Sequence, residues 1–160
     1  MKRLLSLIFI IVSNLLILSA QETKLPDIIE TPVGNFVKEW EGSYTCVVEK
    51  DGQEIDLRTF FESNISQQKL DQRLLILQDF FLQLPELEKK VFSYAAKKAA
   101  GGKYKRQLSK SKMHIVSIWI DDSDKIEFVL VTDESVIHGC DLICVICNLD
   151  GSFENVYLVG

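Results

Sequence analysis

The chain has 160 residues, of which 18 are basic and 23 acidic, giving a formal net charge of −5. That acidic balance excludes wholesale nucleic-acid binding, which needs a basic surface. No internal repeat or low-complexity tract interrupts it, and its length is that of one domain rather than several.

Lys2 and Arg3 open the chain with positive charge, and Leu4 to Leu18 follow as an apolar stretch broken by Ser6, Ser13 and Asn14. Small residues at Ser19 and Ala20 precede Gln21. This order predicts a secretory signal peptide over 1–20, cleaved after Ala20. About 15 apolar residues fall short of the ~20 that span a bilayer, so no transmembrane span is expected after cleavage. No cysteine follows to carry a lipid. The expected location is therefore the periplasm or the exterior. Loss of Lys2 and Arg3 would leave 16 basic against 23 acidic residues, a mature charge of −7.

Residues 21–32, with Pro26 and Pro32, read as an extended lead-in to one domain over 33–160. Two strands are predicted next, Ser43–Glu49 and Glu54–Phe61, rich in β-branched and aromatic residues. Asp51-Gly52 between them suits a two-residue hairpin turn, in which both positions take positive φ. Trp40, just before, is expected in the core. Leu70, Leu74, Leu77, Phe81 and Leu84 then recur at helical spacing. Asn64 or Ser66 can cap that helix, and Pro85 ends it. A second helix is predicted over Glu86–Ala100, with Leu87, Val91, Tyr94 and Ala95 inward and Gly101 at its left-handed end.

Four strands follow, Lys112–Ile120, Lys125–Thr132, Leu142–Leu149 and Ser152–Val159. Their short connections, ending with Asp150-Gly151, predict an antiparallel meander. Ile126, Phe128, Leu130 and Thr132 share one face, as in a sheet covered on one side. The fold class expected is α+β, a mostly antiparallel sheet (N-terminal hairpin plus C-terminal four-stranded meander) packed on a two-helix hairpin.

Candidate chemistry is sparse. Ser66-Gln67-Gln68-Lys69 has the spacing of a serine nucleophile one turn from a lysine base. The S-D-N and K-T-G partners of penicillin-recognising enzymes are absent from the sequence, so Ser66 reads as a helix cap. His114 and His138 have no nucleophile or carboxylate at a telling spacing, and His114 alternates with apolar residues as a hydrogen-bonded histidine near the core edge would. Asp121, Asp122, Asp124 and Glu127 lack the central glycine of a calcium loop and read as turn residues. His138, Cys140, Cys144 and Cys147 would be a zinc set. Cys144 and Cys147, three apart in one strand, point to opposite faces, so free buried thiols fit better. A bridge from Cys46 to Cys140 or Cys147 stays open, because sequence alone fixes no connectivity. No metal or other cofactor is implied.

Charge distribution carries the sharper signal. From Lys89 to Lys112 there are nine basic residues and no acid, whereas from Asp121 onward there are nine acids against Lys125 alone. One reading is a solvated face balanced by the acidic turns. The other is a binding segment for an anionic partner, with Lys97, Lys98, Lys103, Lys105, Arg106 and Lys110 as its candidate residues and Gly101-Gly102 giving it mobility.

The stretch from His138-Gly139 through Ile143, Val145, Asp150-Gly151, Leu158 and Gly160 resembles the ending of a group of uncharacterised bacterial domains. Those domains close with an H-G pair, an I-x-V strand, a D-G hairpin and a final L-x-G. Some of them look like immunity proteins or companions of secreted toxins, and the resemblance implies a binding role. The expectation is an exported, non-enzymatic domain that binds a protein partner. The alternatives are an exported hydrolase, or an envelope-associated protein that binds anionic groups through Lys89–Lys112.

Overall fold

The computed structural model describes residues 25–61, 65–133, 137, 140 and 142–160. The predicted signal peptide, its cleavage point, Asn64 and His138 lie outside them. Eight strands form one sheet in chain order: β1 (Ile28–Thr31), β2 (Gly34–Trp40), β3 (Ser43–Lys50), β4 (Gln53–Phe60), β5 (Met113–Ile120), β6 (Ile126–Thr132), β7 (Leu142–Cys147) and β8 (Phe153–Val159). Helices α1 (Gln67–Leu82), α2 (Leu84–Lys98) and the short α3 (Lys105–Leu108) lie between β4 and β5. The α+β class and the mostly antiparallel sheet are those expected from sequence.

The sheet is larger than the expected hairpin and meander. Its first strand falls within the stretch that reads as a lead-in, and β2 precedes the two N-terminal strands predicted from sequence. Pro32-Val33 makes the turn between β1 and β2, where proline's fixed φ is an asset and its missing N–H costs nothing. Thr31 Oγ1 closes that turn by donating to the Gly34 carbonyl at 2.6 Å. Six of the seven strand pairings are antiparallel; β4 and β5 pair in parallel, with Asp56 opposite Ser117 and Thr59 opposite Ile120. A parallel pair needs a long crossover, and the helical segment supplies it.

One face of the sheet is covered by helices. Tyr44, Cys46, Val48, Ile55, Leu57, Ile118, Ile120, Ile126, Phe128, Leu130, Ile143, Val145 and Cys147 point into this core. Leu70, Leu74, Leu77 and Leu84 meet them from the helical side, as do Leu87, Val91 and Ala95. Phe80, next to the expected Phe81, is the buried ring and meets Phe128 with centroids 6.1 Å apart, while Phe81 is half-buried. α1 packs over β4 and β5, and α2 over β7 and β8. The helices meet at Gln83, and Pro85 occupies the first turn of α2.

Three local expectations change. Trp40 is 53% exposed rather than a core anchor. A bulge between Lys38 and Trp40 shifts the register of β2, and the indole lies against Phe60 on the uncovered face, centroids 6.1 Å apart. Asp51-Gly52 turns with both φ positive, as expected, but Asp150-Gly151 does not: only Gly151 is left-handed there. Gly151 N–H donates to Asn148 and Asn148 N–H to Ser152, so this hairpin has a longer loop ending in a left-handed glycine. The helix α2 ends at Lys98, and the left-handed run is Ala100, Gly101 and Gly102. The diglycine turns the chain sharply into α3, whose Leu108 is fully buried and fastens the segment to the core.

Candidate functional site

The basic segment starts on the exposed side of α2 and continues around its C-terminal turn. The apolar stripe Leu87-Val91-Ala95 faces the sheet, so helical periodicity turns Lys89, Lys90, Lys97 and Lys98 to solvent. Lys97 and Lys98 occupy the last turn, where the helix dipole favours cations. Lys103, Lys105, Arg106 and Lys110 are likewise exposed, on and around α3. Lys103 Nζ lies 5.2 Å from the Tyr104 ring centroid. All six sequence-predicted residues are exposed, at the C-terminal end of α2, on α3 and in the turns beside it.

Whether this charge is structural depends on where the acids go. Asp122 and Asp124 do not reach the segment: both accept from Arg73 of α1, at 3.0 and 3.1 Å, and Lys69 lies 3.9 Å from Asp124. Asp121 accepts from Ser123, and Asp133 is 2.5 Å from His114 Nε2. Glu127 accepts from the Tyr157 hydroxyl at 2.6 Å, and Glu154 from Lys125 at 2.7 Å. Asp150 accepts from Ser152 N–H, and hydrogen bonding by the Ser152 side chain, with this backbone bond, holds its carboxyl below the usual range. On α2 itself, Glu88 is 3.6 Å from Lys50. Among the described residues, no carboxylate forms an ion pair with any of the nine cations of 89–112.

At the start of the segment, α2 and β8 border a shallow, open depression of about 390 Å³. Lys89, Lys90 and Lys97 rim it with Ser93, and Tyr94 and Phe153 form its apolar wall. These two rings stack with centroids 4.9 Å apart and planes at 26°. Sequence reasoning placed Tyr94 on the inner stripe of its helix and gave Phe153 no role. Only the pairing of β8 with the sheet beneath α2 brings them together.

The other candidate sites are resolved by their contacts. Ser66 Oγ accepts from Lys69 N–H at 3.2 Å and caps α1, so the S-x-x-K pattern is helix-start chemistry. Asp122 and Asp124, read from the sequence as turn residues, hold the guanidinium of Arg73. Arg73 is 1% exposed and also donates to the Phe60 carbonyl at 3.2 Å. It had no signal in the sequence beyond its place on α1, one position from the apolar stripe. His114 Nδ1 is 3.1 Å from Gln53 Oε1, making a half-buried tie between the ends of β4, β5 and β6.

All four cysteines are free. Cys147 joins the core, whereas Cys144 is on the opposite face beside Glu127 and Tyr157, as the offset of three requires. Burial pushes the Cys144 thiol up to about 12, helped by Glu127, and pushes Cys147 up to about 11. Such thiols are poor nucleophiles at neutral pH. No group of three or more metal-ligating side chains converges among the described residues, and no described helix is long and apolar enough to cross a membrane.

Comparison with protein-family models, with curated proteins and with solved structures finds no match to this chain.

Proposed function

We propose that this is an exported, non-enzymatic domain that binds a protein partner through the cationic edge formed by Lys97, Lys98, Lys103, Lys105, Arg106 and Lys110. The observation carrying this reading is the segregation of charge: the described acids of the C-terminal third all have other partners, leaving the nine cations as an open field. Such a field attracts an anionic partner and orients its approach. Ser66 serves as a cap, so the S-x-x-K spacing gives the hydrolase alternative no support. Export rests on the charged start and apolar stretch of residues 1–20, and the binding role also accords with the resemblance of the C-terminal hairpin to immunity-protein-like domains.

The test is crosslinking capture of the native partner, followed by a salt titration of the complex. Affinity should fall steeply as ionic strength rises. The variant K103Q/K105Q/R106Q should keep the wild-type unfolding midpoint, since exposed charges contribute only ~0–1 kcal/mol each, and should lose partner association. Unchanged association in both measurements would refute the proposal.

A further inference from the structure

We infer that the cleft between α2 and β8 receives an extended acidic peptide segment with an apolar anchor, of the pattern acidic-x-apolar-x-acidic. This deepens the binding role proposed above and rests on it. Lys89, Ser93 and Lys97 lie at i, i+4 and i+8 on α2, one row with a cation at each end. Eight residues of helix rise about 12 Å. In an extended peptide, side chains on one face recur every ~6.8 Å, so acids four residues apart are separated by about 13–14 Å. The two spacings match. The residue midway between those acids then falls over Ser93, against the stacked Tyr94 and Phe153 rings, where an apolar side chain finds an apolar wall.

The charges there are available for a ligand. Glu88 and Glu154, the acids beside the cleft in the chain, are engaged by Lys50 and Lys125. The shape also selects the ligand class. Small-molecule sites enclose most of their ligand, and this cavity is open along its length. A bilayer would need apolar side chains that protrude into it, whereas Tyr94 and Phe153 are half-buried in the wall of a recess.

The experiment uses the purified protein and a fluorescein-labelled peptide carrying Glu-Ser-Phe-Ser-Glu, read by fluorescence anisotropy. A control peptide carries Ser in place of Phe, and phosphatidylserine vesicles form a third arm. Ser93 is exposed, so Ser93→Glu places a repelling charge in the cleft without disturbing the core. The wild type should bind the Phe peptide about tenfold more tightly than the control, and both S93E and K89Q/K97Q should weaken it by about tenfold or more. Equal affinity for the two peptides, or full binding by S93E, overturns the inference. So does vesicle binding without peptide binding, which would assign the cleft to lipid. If S93E retains the captured native partner while K103Q/K105Q/R106Q loses it, the cleft inference fails and the cationic edge stands. If neither variant changes partner association, both fail.

Discussion

Arg73 is nearly sealed from water, yet its two carboxylate partners are each about half exposed: its side chain is 1% accessible, against 45% for Asp122 and 46% for Asp124. That asymmetry predicts unequal costs for removing either side. Arg73→Met replaces the guanidinium with an apolar chain and leaves two carboxylates that water can reach. The principal loss is the donor to the part-buried Phe60 carbonyl, at most about 1–3 kcal/mol for an unmet acceptor. The variant D122N/D124N instead leaves a buried cation without its anions, which typically costs about 3–5 kcal/mol. In an Arg73→Met background the same two amide substitutions should cost less than ~1 kcal/mol, because the buried guanidinium that needs their charge is gone. Urea unfolding of the four proteins, followed by circular dichroism, gives the cycle directly. Equal costs for the amide pair in both backgrounds would refute the reasoning, as would R73M being the less stable of the two.

Ser66→Ala should lower stability by about 1 kcal/mol in the same unfolding assay, as loss of an N-cap does, and Ser66 should resist fluorophosphonate and β-lactam labelling. The thiols set a pH dependence. Cys144 and Cys147 stay protonated in the folded protein up to about 12 and about 11, whereas in the unfolded chain they ionise near the ordinary value of 9.0. The unfolded state therefore binds fewer protons above that value, and stability should fall as pH rises from about 9 toward 11–12, by up to ~1.4 kcal/mol per pH unit per thiol. Thermal melts of C144A/C147A across that range should show a shallower decline than wild type.

Much of the architecture was legible because the signals were local. The strands flanking Asp51-Gly52 carry β-branched and aromatic residues on both sides of a turn that only such a pair makes easily. The leucine spacing of α1 has a single interpretation. What escaped were features decided at a distance. The face that Trp40 presents follows from a bulge in β2, which alternation cannot reveal. The short β1 carries only four residues and borders a proline, so its membership of the sheet depends on β2 lying beside it. The candidate site divides in the same way. Its charge was legible, since a run of nine cations without an acid is written in the chain. Its cleft was not, since Phe153 reaches Tyr94 only after seven strand pairings have brought β8 beneath α2. Arg73 was invisible for a related reason: its partners lie 49 and 51 residues away.

The parallel seam between β4 and β5 divides the molecule in a way that strand count conceals. Every other pairing joins strands that follow one another directly in the chain, and most are separated by short turns. β4 and β5 meet only after residues 61–112 have been placed. The entropy of loop closure therefore falls chiefly on one junction, and the two four-stranded blocks can gather their own contacts before it forms. Arg73 stands at that junction, joining the Phe60 carbonyl at the end of β4 to the aspartates just beyond β5. The ion cluster thus acts as a clasp between two halves that each assemble from nearby sequence, and the cationic edge belongs to the strap that brings them together.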